Sequence, residues 1–372
     1  MNDRERLILL NLIPDIGSLR VKRLLDAFGS LRELFAASEQ QLQQVDGIGP
    51  VLARRVVSSC RNSRLLDEEL RLVQHAGCSI VAMLDVEFPE PLKAIPDPPV
   101  VLYVKGRWTE TDRTAVAIVG SRRASIYGQQ VAKRLAYDLA LRGVTVVSGL
   151  ARGIDAAAHQ GALKAGGRTL AVLGNGLASI YPPEHAKLAD AITAQGAILS
   201  EFPMRMAPLA QNFPRRNRLI SGLALGVVIV EAAKRSGALI TADLALEQGR
   251  EVFAVPGKVD ALTSQGTHQL LKQGARLVTS VEDILEELRL TELSVHPERL
   301  QPTASAGQVG AAQGVTDDEQ ALLAHLEQDE PRDVEALAVK TGLPASTCAA
   351  GLLRLELKRL VKQLPGKRFV KQ

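Results

Sequence analysis

With 372 residues, 46% of them hydrophobic, the chain has material for two or three domains and a large core, which excludes a disordered protein. Its net charge of +4 is too small to attract anions by total charge, so any anion preference must come from where arginines cluster. Cys60, Cys78 and Cys348 lie far apart with no Cys-x-x-Cys, which excludes a disulfide framework and an ordinary zinc motif, and no run approaches a signal peptide or a membrane span; a cytoplasmic protein is expected.

Residues 1–75 read as short helices. Leu12–Gly17 precedes one basic helix, and Val45–Pro50, carrying Gly47 and Gly49, precedes a second with Arg54 and Arg55. This is the pattern of a helix-hairpin-helix, a SAM-like module whose glycine turn aims helix N-terminal amides at a backbone phosphate. Gly47, Gly49 and Arg54 are the candidate backbone contacts; a helical packing module with solvated arginines fits the same residues. Residues 76–112 hold two short strand patterns separated by dense prolines, and an extended connector is expected there.

From residue 113 to 290, short apolar runs alternate with helical patterns of 8 to 16 residues. Strands are predicted at Ala115–Val119, Val144–Val147, Thr169–Leu173, Ala197–Ser200, Val227–Val230, Glu251–Val255 and Arg276–Val278. Such strands are buried on both faces, so the fold class is α/β, a Rossmann-like, doubly wound, mostly parallel sheet spanning 76–290 with its connector. Residues 291–316 have the composition of a flexible linker. In 317–372, three helices and a possible hairpin at Leu364–Phe369 predict a winged helix-turn-helix. The N-terminal end of its last helix is Ala345-Ser346-Thr347-Cys348-Ala349-Ala350, poor in base-reading side chains, which points to a protein-contact or duplex-backbone role.

Four Gly- and Arg-bearing segments follow or join these strands: Gly120-Ser121-Arg122-Arg123, Gly149 to Arg152-Gly153, Phe213-Pro214-Arg215-Arg216-Asn217-Arg218, and Pro256-Gly257-Lys258. Segments after parallel strands gather on one edge of the sheet, where ligands bind. There is no Gly-x-Gly-x-x-Gly and no P-loop; amides and guanidiniums ahead of helices can hold a phosphate diester instead. Phe213 offers a stacking plane worth roughly 1–3 kcal/mol per base. The plainer alternative makes Phe213 a core residue and sets the arginines against Glu201. Asp155 and His159 stand four apart, which permits a metal pair, but Asp155 is better read as a helix N-cap. No metal, no cofactor and no catalytic constellation is assigned.

These motifs resemble those of the DprA/Smf family, bacterial DNA-processing proteins of natural transformation. The matching stretches are Ala117–Arg123, Val147–His159, Asn212–Arg218, Ser236–Ala242 and Gly249–Gly257, in order along nearly the whole chain. The resemblance implies a protein that binds and protects single-stranded DNA without sequence preference, forms a homodimer, and loads the RecA recombinase. Under that reading Gly120, Ser121, Arg122, Arg123, Gly149, Arg152, Gly153, Phe213, Arg215, Arg216, Asn217, Arg218 and Lys258 would line the strand's path. Leu270 and Leu271 are a candidate contact for the second subunit or RecA. His185 and His268 stand where family members more often carry Asn. Two rivals remain: a nucleotide-binding or nucleotide-hydrolysing enzyme, in which Ser236–Asp243 would be the phosphate loop with Leu239 in place of a glycine, and a duplex-specific regulator.

Overall fold

The structure is a computed structural model that describes residues 1–60, 63–293, 316–326, 332–357, 360–364 and 368–371. It divides into two compact units, Met1–Pro302 and Thr303–Gln372. Most of the expected linker, residues 294–315, lies outside the described residues.

The first unit is built on nine strands: β1 (Cys78–Ala82), β2 (Val101–Gly106), β3 (Ala115–Val119), β4 (Thr145–Ser148), β5 (Thr169–Val172), β6 (Ala197–Ser200), β7 (Gly226–Ile229), β8 (Glu251–Ala254) and β9 (Arg276–Leu277). Their order across the sheet is β1-β2-β6-β5-β4-β3-β7-β8-β9. From β6 to β9 every pairing is parallel, while β2 runs antiparallel to both β6 and β1. The predicted connector is therefore corrected. Residues 78–82 and 101–106 are full members of the sheet, and the prolines occupy the loop and the short Glu90–Lys93 helix between them.

All five residues of β3 are buried, and successive side chains enter different cores. Ala115, Ala117 and Val119 meet Leu219, Ile220 and Leu223 of the Asn212–Gly222 helix together with Ala238 and Ala242 of the Gly237–Glu247 helix. Val116 and Ile118 meet the opposite layer, made by the Ile126–Leu141, Ile154–Lys164 and Val281–Glu287 helices. A third core runs from Leu7, Leu10 and Leu24 of the N-terminal helices onto Val101 and Tyr103 of β2 and Ile198 of β6. The N-terminal helices thus share an apolar core with β2 and β6 of the sheet. Polar contacts follow the same seam: Glu69 accepts from the Met204 amide at 2.7 Å, and the Asn11 amide donates to the Glu201 carbonyl at 3.1 Å.

In the second unit, helices Asp317–Ala324, Val334–Thr341 and Ala345–Leu357 pack Leu322, Leu337, Cys348 and Leu352 against Phe369. Strands β10 (Arg332–Asp333), β11 (Val361–Leu364) and β12 (Arg368–Lys371) form a small antiparallel sheet in the order β10-β12-β11. This is a winged helix; residues 365–367, between β11 and β12 in sequence, lie outside the described residues.

Candidate nucleic-acid interface

Chain direction across the sheet reverses beside β3. After β3 the strands proceed outward through β4, β5 and β6, and the chain then returns to place β7 on the other flank. The crevice outside the carboxyl ends of β3 and β7 is therefore the topological switch point, the expected ligand position in such sheets. A cavity of about 680 Å³ opens there. Its walls come from the loop after β3 (Gly120 to Arg123), the loop after β4 (Ala151), the loop after β7 (Ala233, Ser236) and the first turns of the Ile154–Lys164 (Asp155), Asn212–Gly222 and Gly237–Glu247 helices.

The loops on the two sides of the switch point are tied together. The Ser121 amide donates to the Glu231 carbonyl at 2.8 Å, and the Glu231 carboxylate accepts from the Ser125 amide at 2.9 Å and from its hydroxyl at 2.5 Å. Gly153, at φ 77°, lies so close to the first loop that a Cβ would come within 2.3 Å of the Ser121 carbonyl oxygen. A side chain at Gly149 would strike the Arg216 guanidinium at 2.6 Å. These two glycines let the loops after β3 and β4 and one guanidinium share the same small volume.

The run from Phe213 to Arg218 occupies the first turns of the Asn212–Gly222 helix. A helix turns about 100° per residue, so its arginines face different ways. Arg216, 4% exposed, points to the cavity floor: it donates to the Gly149 carbonyl at 2.9 Å, to the Val172 carbonyl and to Asn217 Oδ1 at 3.1 Å. Burial pushes its pKa down to about 10, so it stays charged at neutral pH. Asn217 also lines the cavity and donates to the Gly237 carbonyl at 3.2 Å.

Arg218 does not reach the cavity. It is 7% exposed and held by both Glu201 carboxylate oxygens at 2.9 and 2.7 Å and by Asp97 at 3.0 Å. Its place in the strand's path is corrected, and setting an arginine against Glu201 is the right account of this one residue. Arg215 faces a different hollow beside the N-terminal helices, with its guanidinium 5.5 Å from the Phe202 ring centroid.

Arg122 and Arg123 are exposed at the rim, and neither makes an ion pair among the described residues. Arg122 lies 4.9 Å from the Phe213 ring centroid, and Tyr181 meets the same ring at 5.9 Å, tilted by 43°. Phe213 is thus partly covered by a cation rather than a bare platform. Arg152 is exposed but paired with Glu184, and Lys258 is exposed after β8, outside the cavity lining. His185 Nδ1 donates to the Leu150 carbonyl at 2.8 Å, and His268 Nε2 to the Gly257 carbonyl at 3.1 Å, so both brace loops.

Asp155 is not the N-cap; Gly153 is. From the first turn, Asp155 Oδ2 accepts from the Ala151 amide at 3.2 Å, and burial pushes its pKa up. His159 Nδ1 meets Thr169 Oγ1 at 2.7 Å. That hydroxyl already donates to the Val146 carbonyl, so it accepts from His159 Nδ1–H. The two side chains take separate partners, and among the described residues no cluster of three His, Cys, Asp or Glu could hold a metal.

Elsewhere, Leu270 is 5% exposed in the core beside β8, which removes it as a contact for a second subunit; Leu271 is partly buried against that core. Leu239, the residue in place of a phosphate-loop glycine, also packs on this core and does not line the cavity. In the N-terminal tandem, the bases knit the two hairpin turns together. Arg20 donates to the Asp15 carbonyl at 2.5 Å and the Gly47 carbonyl at 3.1 Å, Arg23 pairs with Asp46 at 2.8 Å, and Arg55 pairs with Asp15 at 2.8 Å. Arg54 is exposed, with Glu39 at 3.9 Å, and a Cβ at Gly49 would meet nothing within 4 Å. Lys234 and Arg235, which sequence reasoning missed, are exposed between cavity-lining Ala233 and Ser236, across the switch point from Arg122 and Arg123. Their position directly after a strand was the available signal.

Residues 79–289 match the family model for DNA recombination-mediator protein A, which spans more than half of the chain. The chain belongs to the DprA/Smf family. It is therefore a DNA-processing protein, with flanking matches to a SAM-like helix-hairpin-helix tandem at 7–62 and the DprA winged helix domain at 306–367. Protein Smf of Escherichia coli is 48% identical over 84% of this chain and 82% of its own. The X-ray structure of DNA processing protein A from Streptococcus pneumoniae covers 80% of this chain and 99% of its own, at 33% identity and a TM-score of 0.67. A structure of the Helicobacter pylori protein, described for its single-stranded DNA binding mode, covers 57% of this chain and 95% of its own, at 32% identity and a TM-score of 0.52. Among the described residues no helix is long and apolar enough to cross a membrane.

Proposed function

We propose that this DprA/Smf protein binds single-stranded DNA without sequence preference across the switch-point cavity, protects it, and loads RecA onto it as a cytoplasmic homodimer. The observation that carries the reading is the set of bases around the cavity: Arg122 and Arg123 in its lining after β3, and Lys234 and Arg235 after β7 between cavity-lining Ala233 and Ser236, are exposed, and none makes an ion pair among the described residues. Exposed bases on the loops that flank a crevice suit a chain of phosphates, and contacts to phosphates carry no sequence information. The Helicobacter pylori relative, with its single-stranded DNA binding mode, supports the choice of ligand. RecA loading and dimerisation rest on family membership.

The test is anisotropy titration of single strands of different composition over a range of salt. Each phosphate contact contributes about −0.7 to the log–log salt slope for single strands. Replacing Arg122 or Arg123 with Ala should weaken binding to all compositions alike and flatten the slope by about that amount, and Lys234→Ala or Arg235→Ala should do the same. An unchanged slope in all four variants would refute the assignment. RecA filament assembly on strands coated with single-strand-binding protein, with and without this chain, tests the loading step. Light scattering tests the dimer.

A further inference from the structure

Arg216 is out of proportion to what a passing phosphodiester requires. It is 4% exposed, its hydrogen-bond acceptors are two carbonyls and an amide oxygen, and it makes no ion pair among the described residues. Its Nη2 group makes no hydrogen bond there either, although the residue lines the cavity. Its hydrogen-bond partners are all neutral, and the one opposite charge that acts on it, Asp155, makes no ion pair with it among the described residues; a buried guanidinium so placed is a site prepared for an anion.

The surroundings add to that demand. Arg122 and Arg123 line the same cavity, and so do first-turn residues of three helices, beginning at Asn212, Ile154 and Gly237. Each helix contributes partial positive charge at that end. Asp155 is the sole acidic residue in the lining; burial pushes its pKa up, while the charge of Arg216 acts against that shift. A phosphodiester carries one negative charge and is flanked by sugars on both sides. A phosphate monoester carries close to two at neutral pH and presents three free oxygens. It can therefore descend to a guanidinium below the rim, while the attached nucleoside stays beside the Tyr181–Phe213 pair.

We propose that the cavity floor is a subsite for a phosphate monoester held by Arg216, either the phosphorylated end of a strand or a free nucleoside monophosphate. The proposal rests on the strand-binding reading above in placing nucleic acid at this cavity.

The experiment uses the full chain and one short oligonucleotide prepared with a 5′-phosphate, with a 3′-phosphate, or with hydroxyls at both ends. One phosphorylated form should bind about tenfold tighter than the hydroxyl-ended form, the worth of one added charge-assisted hydrogen bond. Thymidine monophosphate should displace it where thymidine does not. A preference for one end supports strand-end capture. Equal binding of the three oligonucleotides together with displacement by thymidine monophosphate supports the free nucleotide as ligand. Arg216→Gln should erase the discrimination in either case, with circular dichroism checking that the variant folds. Equal affinity for all three oligonucleotides and no displacement, in the unaltered protein, would overturn the proposal. A circular single strand, which has no ends, separates the two readings. If it binds while the oligonucleotides are not discriminated and nothing is displaced, the floor subsite is wrong and strand binding stands; if it fails to bind, the strand-binding reading itself falls.

Discussion

Arg218 is surrounded by Glu201, Asp97 and Ser18, and so joins the Asn212–Gly222 helix to the end of β6 and to the N-terminal helices. Arg218→Ala would leave two carboxylates facing each other without their cation. Breaking a buried pair in this way costs about 3–5 kcal/mol, and chemical denaturation should register it, while the salt slope of the remaining folded protein stays as in the unaltered chain. The opposite profile is expected at Arg122, where stability is kept and the slope falls.

His159 supplies a pH dependence. Its pKa is lowered from 6.5 to about 3, chiefly by burial, so the folded protein refuses a proton that the unfolded chain accepts. Stability is therefore full above pH 6.5 and falls as pH drops toward about 3, by about 1.4 kcal/mol per unit. Asp155, with its pKa raised, works in the other direction and offsets part of the loss. A His159→Gln variant should lose about 2 kcal/mol less than the unaltered chain on going from neutral pH to about pH 5, measured as the shift in denaturant midpoint. A parallel loss in both would remove His159 as the cause.

At the residue level, the sequence identified which arginines to consider but not their directions. The density of guanidiniums between Phe213 and Arg218 is visible in one dimension. That Arg215, Arg216 and Arg218 diverge to a side hollow, the cavity floor and an internal ion pair follows only once those residues are wound into a helix.

Among the elements, the parallel strands were legible because burial on both faces demands uninterrupted apolar runs, and β3 and β6 match their predicted bounds. Strands β1 and β2 were harder to place. Their patterns are present, but the prolines between them suggested a chain lying on the domain, and nothing local reveals that β2 pairs with β6 more than ninety residues later. The loop after β4 is the element on which the cavity depends. Gly153→Ala would force a side chain into a left-handed conformation and against the Ser121 carbonyl. The expected result is a stability loss of about 1–3 kcal/mol and weaker strand binding together, because the loops after β3 and β4 can no longer touch. Normal affinity in a folded Gly153→Ala protein would show that the two loops need not meet.

Over the first unit as a whole, the N-terminal helices and the sheet share one apolar core. Leu10 is fully buried in it, whereas Trp108, the single tryptophan of the chain, packs on the core formed with the Asn212–Gly222 and Gly237–Glu247 helices. Leu10→Ala should cost about 2–5 kcal/mol and lower the unfolding midpoint seen by Trp108 fluorescence as much as that seen by far-UV circular dichroism. An unmoved fluorescence transition would mean that the helical tandem melts by itself. The boundary near residue 75 was drawn from motif and composition, which carry no sign that the tandem's apolar core continues onto β1, β2 and β6.

The pairing of β3 with β7 also sets a timetable for synthesis. Val116 lies opposite Gly226 and Val119 opposite Ile229, so one flank of the central strand waits for more than a hundred further residues to be translated. During that interval the nascent chain carries an open edge at the middle of its future sheet, flanked by apolar runs that other polypeptides could template upon. Ribosome-bound chains stopped short of residue 226 should accordingly engage chaperones more strongly than chains released beyond β8, and a cell that makes this protein quickly must shield that seam until its last neighbour arrives.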